Sequence, residues 1–214
     1  MISEQPVVID VSPQLSLEAR LSAPASPRGG IVICHPHPLY GGDMDNPVVV
    51  RVQEVCAELG LATLRFNFRG VGGSTGSHAN GVGEQDDAVA ALDVLAKTVS
   101  DRPLAIAGYS FGARISALVA GRDTRLSGVA LIAPPLKMYD FGGLEGRRLP
   151  TLMVAGTADA YCPADEFRKL GERFPWVETV SIEGADHFFL GKLFPLGQAV
   201  AGWARRYFPE PGAS

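Results

Sequence analysis

Short apolar runs alternate with longer amphipathic stretches along most of this chain. Near the N-terminus, Leu15, Leu17, Ala19 and Leu21 alternate with polar neighbours, which predicts a half-buried strand. Ser12-Pro13 separates that segment from Val7–Val11, so the two read as an antiparallel hairpin. After a surface loop at Pro24–Pro27, strand and helix patterns take turns. Strands are predicted at Gly30–Cys34, Ala62–Asn67, Leu104–Ala107, Val129–Ala133, Thr151–Ala155 and Val177–Ile182. Helical spacing is found near Pro47–Leu59 and at Glu84–Val99, Ala113–Ala120, Ala164–Arg173 and Phe194–Tyr207. This alternation predicts an α/β fold: a mostly parallel twisted sheet, helices on both faces, right-handed crossovers and an N-terminal antiparallel hairpin.

Composition narrows the class. At 214 residues, with no internal repeat, low-complexity tract or linker, residues 1–214 are expected to form a single domain. A net charge of −4 argues against nucleic acid or an anionic membrane as the main partner. Met1–Pro6 has neither the basic nor the apolar region of a signal peptide, and no apolar run reaches membrane-spanning length. A cytoplasmic protein is the expectation. Cys34, Cys56 and Cys162 lack C-x-x-C spacing, so neither a disulfide framework nor a zinc site is suggested. Cys34 and Cys56 read as core thiols; Cys162, near Asp159, could approach a pocket, but packing is the favoured role.

Candidate chemistry centres on Gly108-Tyr109-Ser110-Phe111-Gly112. An apolar strand pattern leads in and a helical pattern leads out, so this G-x-S-x-G sits on a strand-to-helix turn that lifts a serine hydroxyl clear of the sheet. Side chains at Gly108 or Gly112 would collide with the neighbouring strand or helix. A serine hydroxyl is a poor nucleophile at neutral pH, so a base and an orienting acid must follow in the chain. Asp159 lies on the loop after the strand at Thr151–Ala155, and His187 on the loop after the strand at Val177–Ile182. All three candidates occupy C-terminal strand ends, where open parallel sheets place their ligands. Among the four histidines only His187 follows the serine. Asp186 competes for the acid role, but adjacent residues rarely reach each other's ring in the required orientation, which favours Asp159.

With these residues the chain resembles the α/β-hydrolase superfamily over nearly its whole length. It is most similar to a small lidless subgroup related to dienelactone hydrolases, through His35-Pro36-His37-Pro38-Leu39-Tyr40-Gly41-Gly42 and Asn67-Phe68-Arg69-Gly70-Val71-Gly72-Gly73-Ser74. Dienelactone hydrolases carry a cysteine nucleophile, whereas Ser110 stands here. The resemblance implies a serine hydrolase for a small carboxylic ester, thioester or lactone, with Ser110, His187 and Asp159 as the triad and no cofactor or metal. It also implies an oxyanion hole formed by the Phe111 N–H and a second N–H from the loop His35–Gly42. Proline has no N–H, which removes Pro36 and Pro38; alignment with the equivalent dienelactone hydrolase loop favours Leu39, with Tyr40 second. The segment between the strands at Val129–Ala133 and Thr151–Ala155 has room for a loop and one helical turn, so no lid domain and an open site are expected. Acyl transfer to an alcohol or amine is the alternative on the same triad, and a catalytically silent binding protein the alternative from another class.

The remaining motifs have plainer readings. His35 and His37 are two residues apart but lack a third ligand, so one imidazole is expected to brace the loop by hydrogen bonding. His78, in the polar stretch Ser74–Gly83, is expected to be exposed. Gly70-Val71-Gly72-Gly73 lacks the third glycine of a dinucleotide loop, and Arg69 is expected to anchor it on Asp86 or Asp87.

Overall fold

The structure is a computed structural model and describes residues 3–208. Within them the chain forms β1 (Gln5–Ser12), β2 (Leu15–Ser22), β3 (Gly30–Cys34), α1 (Pro47–Glu58), β4 (Ala62–Phe66) and α2 (Gly83–Val99). It continues through β5 (Leu104–Tyr109), α3 (Phe111–Arg122), β6 (Leu126–Ile132), β7 (Thr151–Gly156), α4 (Ala164–Arg173), β8 (Val177–Ile182) and α5 (Leu193–Tyr207). Short 3-10 turns lie at Pro38–Tyr40 and Gly142–Gly146.

These strands make one sheet in the order β1-β2-β4-β3-β5-β6-β7-β8. β1 runs antiparallel to β2, and β2 antiparallel to β4; from β4 across to β8 the neighbours are parallel. The expected mostly parallel sheet with an N-terminal hairpin is therefore present. Alternate residues serve two cores. Val32 and Cys34 of β3 share one with Leu92 of α2 and Ile115 of α3. Ile31 and Ile33 share the other with Val52 of α1 and Trp203 of α5. Central strands covered on both faces need apolar residues at every position, which is why β3 and β5 read as continuous runs.

Strand order reverses between β3 and β5, since the chain leaves β4 by passing over β3. Cys34 of β3 pairs with Gly108 of β5, so both strands end at the same level. Loops leaving a sheet at such a switch point diverge and open a crevice. Between β6 and β7 the chain adds only a loop and the turn at Gly142–Gly146. Phe141 and Leu144 are buried there against the core that α3 serves, which draws this segment down onto the body. Among the described residues no helix is long and apolar enough to cross a membrane.

Candidate active site

The strand β5 runs two residues further than its apolar pattern suggests, and α3 starts at Phe111, so Ser110 alone makes the turn. Its backbone sits at φ 56°, ψ −114°, a region that costs a non-glycine residue roughly 1–3 kcal/mol. Surrounding bonds hold it there. Ser110 N–H donates to the Ile132 carbonyl at 2.9 Å, and Ser110 O accepts from Ala113 N–H at 2.9 Å. A Cβ on Gly108 would lie 2.1 Å from Gly112 O, and one on Gly112 would lie 2.3 Å from Cys34 O. Both glycines are thus required for α3 to press against β5 and the end of β3.

His187 and Asp159 meet this serine. His187 Nε2 lies 3.0 Å from Ser110 Oγ, and His187 Nδ1 lies 2.8 Å from Asp159 Oδ2. Asp159 Oδ1 accepts from the N–H groups of Tyr161 at 2.8 Å and Cys162 at 3.0 Å. With both carboxylate oxygens accepting, Nδ1 carries the imidazole proton and Nε2 turns its lone pair to the serine. The two loops are tied together: Ala158 N–H donates to Ala185 O at 3.0 Å, and Gly184 N–H to Thr157 Oγ1 at 2.9 Å. Tyr109 Oη donates to the His187 carbonyl at 2.9 Å. Asp186 faces its own turn, where Oδ1 accepts from Phe188 N–H and Leu190 N–H at 3.1 and 3.2 Å. The structure brings Asp159, and not Asp186, to the imidazole.

Phe111 N–H is one of the donors that an α-helix leaves unpaired at its N-terminus. The loop after β3 does not leave the N–H groups of Leu39 and Tyr40 free. Pro38–Tyr40 is a 3-10 turn capped by His37: Leu39 N–H donates to His37 Nδ1 at 3.2 Å, and Tyr40 N–H to His37 O at 3.1 Å. The turn consumes both expected donors, and the Leu39 side chain points to solvent at 69% exposure. His37 itself lines the cleft, and its N–H has no acceptor among the described residues. The sequence carried part of this signal in Pro38, since proline at the second position of a turn favours the bond from Tyr40 N–H to His37 O, whereas Leu39 N–H is held by the His37 side chain.

The loop is braced from below. His35 is fully buried; its Nε2 accepts from Phe68 N–H at 3.0 Å, and its Nδ1 donates to Pro36 O at 2.6 Å. Both ring nitrogens are occupied by backbone, and burial lowers the imidazole pKa to about 4. His78 is not exposed as expected. Its side chain is 8% accessible, with Nδ1 2.8 Å from Glu84 Oε1 and its ring 4.9 Å from that of His37. The cause is Glu84: fully buried at the start of α2, it accepts from Ala79 and Gly81 N–H at 2.7 and 2.8 Å and folds the loop back onto Phe111. Burial, then the neighbouring His78, lower the pKa of His37. Arg69 grips Asp87, with Nη2 2.6 Å from Oδ1. Cys162 is buried, its thiol pKa raised by burial and by Asp159, which fits packing.

These parts border a cleft of about 430 Å³. Its walls come from the loops after β3, β6, β7 and β8, and its floor from Tyr109, Ser110 and Phe111. No Asp, Glu, Lys or Arg is among its lining residues.

Comparison with known proteins agrees with this architecture. Residues 31–193 match the alpha/beta hydrolase domain family. An alpha-beta serine hydrolase homologue from Coxiella burnetii shares 37% identity at a TM-score of 0.86, over 94% of this chain and 98% of that one. A lidless serine hydrolase from Xanthomonas campestris shares 30% identity at a TM-score of 0.89, over 99% of this chain and 98% of its own. An uncharacterised protein of Rickettsia prowazekii is 36% identical over 88% of this chain and 84% of its own length. The chain therefore belongs to the alpha/beta hydrolase family and has the fold of its lidless serine hydrolases.

Proposed function

We propose that the protein hydrolyses a small, uncharged carboxylic ester, thioester or lactone through an acyl-enzyme on Ser110. One observation carries this reading: the continuous line from Ser110 Oγ to His187 Nε2 at 3.0 Å and from Nδ1 to Asp159 at 2.8 Å, on the floor of a cleft. His187 removes the Ser110 proton as the oxygen attacks the carbonyl carbon, and Asp159 stabilises the imidazolium that forms. The alkoxide of the tetrahedral intermediate accepts from the N–H groups of Phe111 and His37, each such donor contributing about 3 kcal/mol. Collapse breaks the bond to the leaving group, which takes the proton from His187. Water, deprotonated by the same imidazole, then attacks the acyl-enzyme and frees Ser110.

Transfer of the acyl group to an alcohol or amine uses the same triad, but water is hard to exclude from a site without a lid. The hydrolase reading is tested with Ser110→Ala. Hydrolysis of short acyl esters should fall by more than about a hundredfold with the fold intact; a smaller loss would move the nucleophile elsewhere.

A further inference from the structure

Aromatic side chains are concentrated around the cleft far beyond their share of the chain. They make up 8% of the sequence, yet six of the fifteen lining residues are Phe or Tyr, including four of the five tyrosines. Tyr109 and Phe111 are buried parts of the floor, which packing explains. The other four are not explained by packing. Tyr40, Tyr161 and Phe188 are 82%, 44% and 60% exposed, and Tyr139 is half-buried. They come from four separate loops, those after β3, β6, β7 and β8, and converge on one opening.

Each of these rings also rests against a neighbouring side chain at the opening. Tyr40 leans on His37 with centroids 4.8 Å apart, and Tyr161 on His187 at 4.7 Å. Phe188 meets the His187 ring edge-on at 5.6 Å, and the Arg114 guanidinium lies 4.2 Å over Tyr139. Rings gathered at one opening present faces and edges, which another ring engages better than a saturated group does. No Asp, Glu, Lys or Arg lines the cleft, and Arg114 reaches only the Tyr139 ring, so a charged substituent seated against these walls has no ion-pair partner among the lining residues. A volume of about 430 Å³ lies at the small end of ligand clefts, enough for one ring on a short linker.

From this we infer that the cleft selects uncharged substrates bearing a flat aromatic ring, seated among Tyr40, Tyr139, Tyr161 and Phe188 beside the reacting carbonyl. The inference rests on the proposed hydrolase reading and adds a substrate class to it.

Two matched ester pairs test it with the full chain. Methyl 3-phenylpropanoate and methyl 3-cyclohexylpropanoate place the ring on the acyl side; benzyl acetate and cyclohexylmethyl acetate place it on the leaving group. Each kcat/KM is divided by the rate of the same ester with hydroxide, which removes intrinsic reactivity. A cleft that reads only apolar area would favour the saturated ring, which is the more hydrophobic. The expected result is an aromatic preference of about fivefold or more in at least one pair, and the pair that shows it locates the ring. In Tyr40→Leu/Phe188→Leu the preference should fall to within about twofold of unity. A para-carboxylate on the phenylpropanoate should lower kcat/KM at least tenfold. Ratios at or below unity in both pairs, a preference that survives the double substitution, or equal rates with the carboxylate would each overturn the proposal. Methyl acetate, which carries no ring, separates the two readings. If it is cleaved while the ratios fail, only the substrate class falls; if it and all the esters are inert, the hydrolase reading falls and takes the substrate class with it.

Discussion

At the scale of single residues, the site depends on which carboxylate reaches His187. Asp159 bonds Nδ1 and is fixed by two backbone N–H groups, whereas Asp186 caps the turn that follows it. Asp159→Asn should therefore lower kcat by orders of magnitude, because an amide at that position favours the wrong imidazole tautomer. Asp186→Asn should leave most of the activity, and the reverse order of damage, read from steady-state kinetics of the two variants, would transfer the acid role. That Asp159 rather than Asp186 would face the imidazole was legible in the sequence, because a carboxylate adjacent to the histidine is poorly placed to meet its ring. What the sequence did not show was the packing that determines exposure. His78 sits in a polar, glycine-bordered stretch, and nothing local indicates that Glu84 would be buried beneath it and draw it in.

At the scale of elements, agreement follows how sharply each pattern is bounded. Gly30–Cys34, Ala164–Arg173 and Val177–Ile182 have the ends their sequences predict, since glycine, proline or polar clusters flank them. The join of β5 to α3 was misplaced by two residues on each side, because a one-residue turn has no loop composition to reveal it. The loop after β3 was the hardest. Choosing among its N–H groups needs the hydrogen bonds of the turn at Pro38–Tyr40, which engage Leu39 and Tyr40 and make His37 the proposed donor. His37 has φ −59°, which proline adopts without strain. His37→Pro should then lower kcat about a hundredfold relative to His37→Ala, since both lose the imidazole but only proline loses the N–H. Equal kcat values for the two variants would place the second donor elsewhere.

At the scale of the whole molecule, the buried imidazole under the site links function to stability. Folding lowers the pKa of His35 from 6.5 to about 4, so between these values the unfolded chain binds more protons than the folded one. Stability contributed by neutral His35 is complete above pH 6.5 and is lost as pH falls toward 4, by about 3 kcal/mol in all. Urea unfolding across that range should show a steeper acid loss in the parent than in His35→Gln; parallel profiles would mean that His35 is not the group responsible. The same buried ring braces the loop that carries His37, so the scaffold and the proposed oxyanion donor share one support.

Covalent labelling tests most directly whether the fold makes Ser110 a nucleophile. A fluorophosphonate probe reacts with a serine only when a base and an oxyanion hole activate it. Incubated with the purified protein and followed by mass spectrometry of its peptides, the probe should add once per chain, at Ser110. Asp159→Asn should slow the reaction, and Ser110→Ala should abolish it. Absence of labelling under conditions that fully modify an active serine hydrolase, or an adduct on any other residue, would contradict the account.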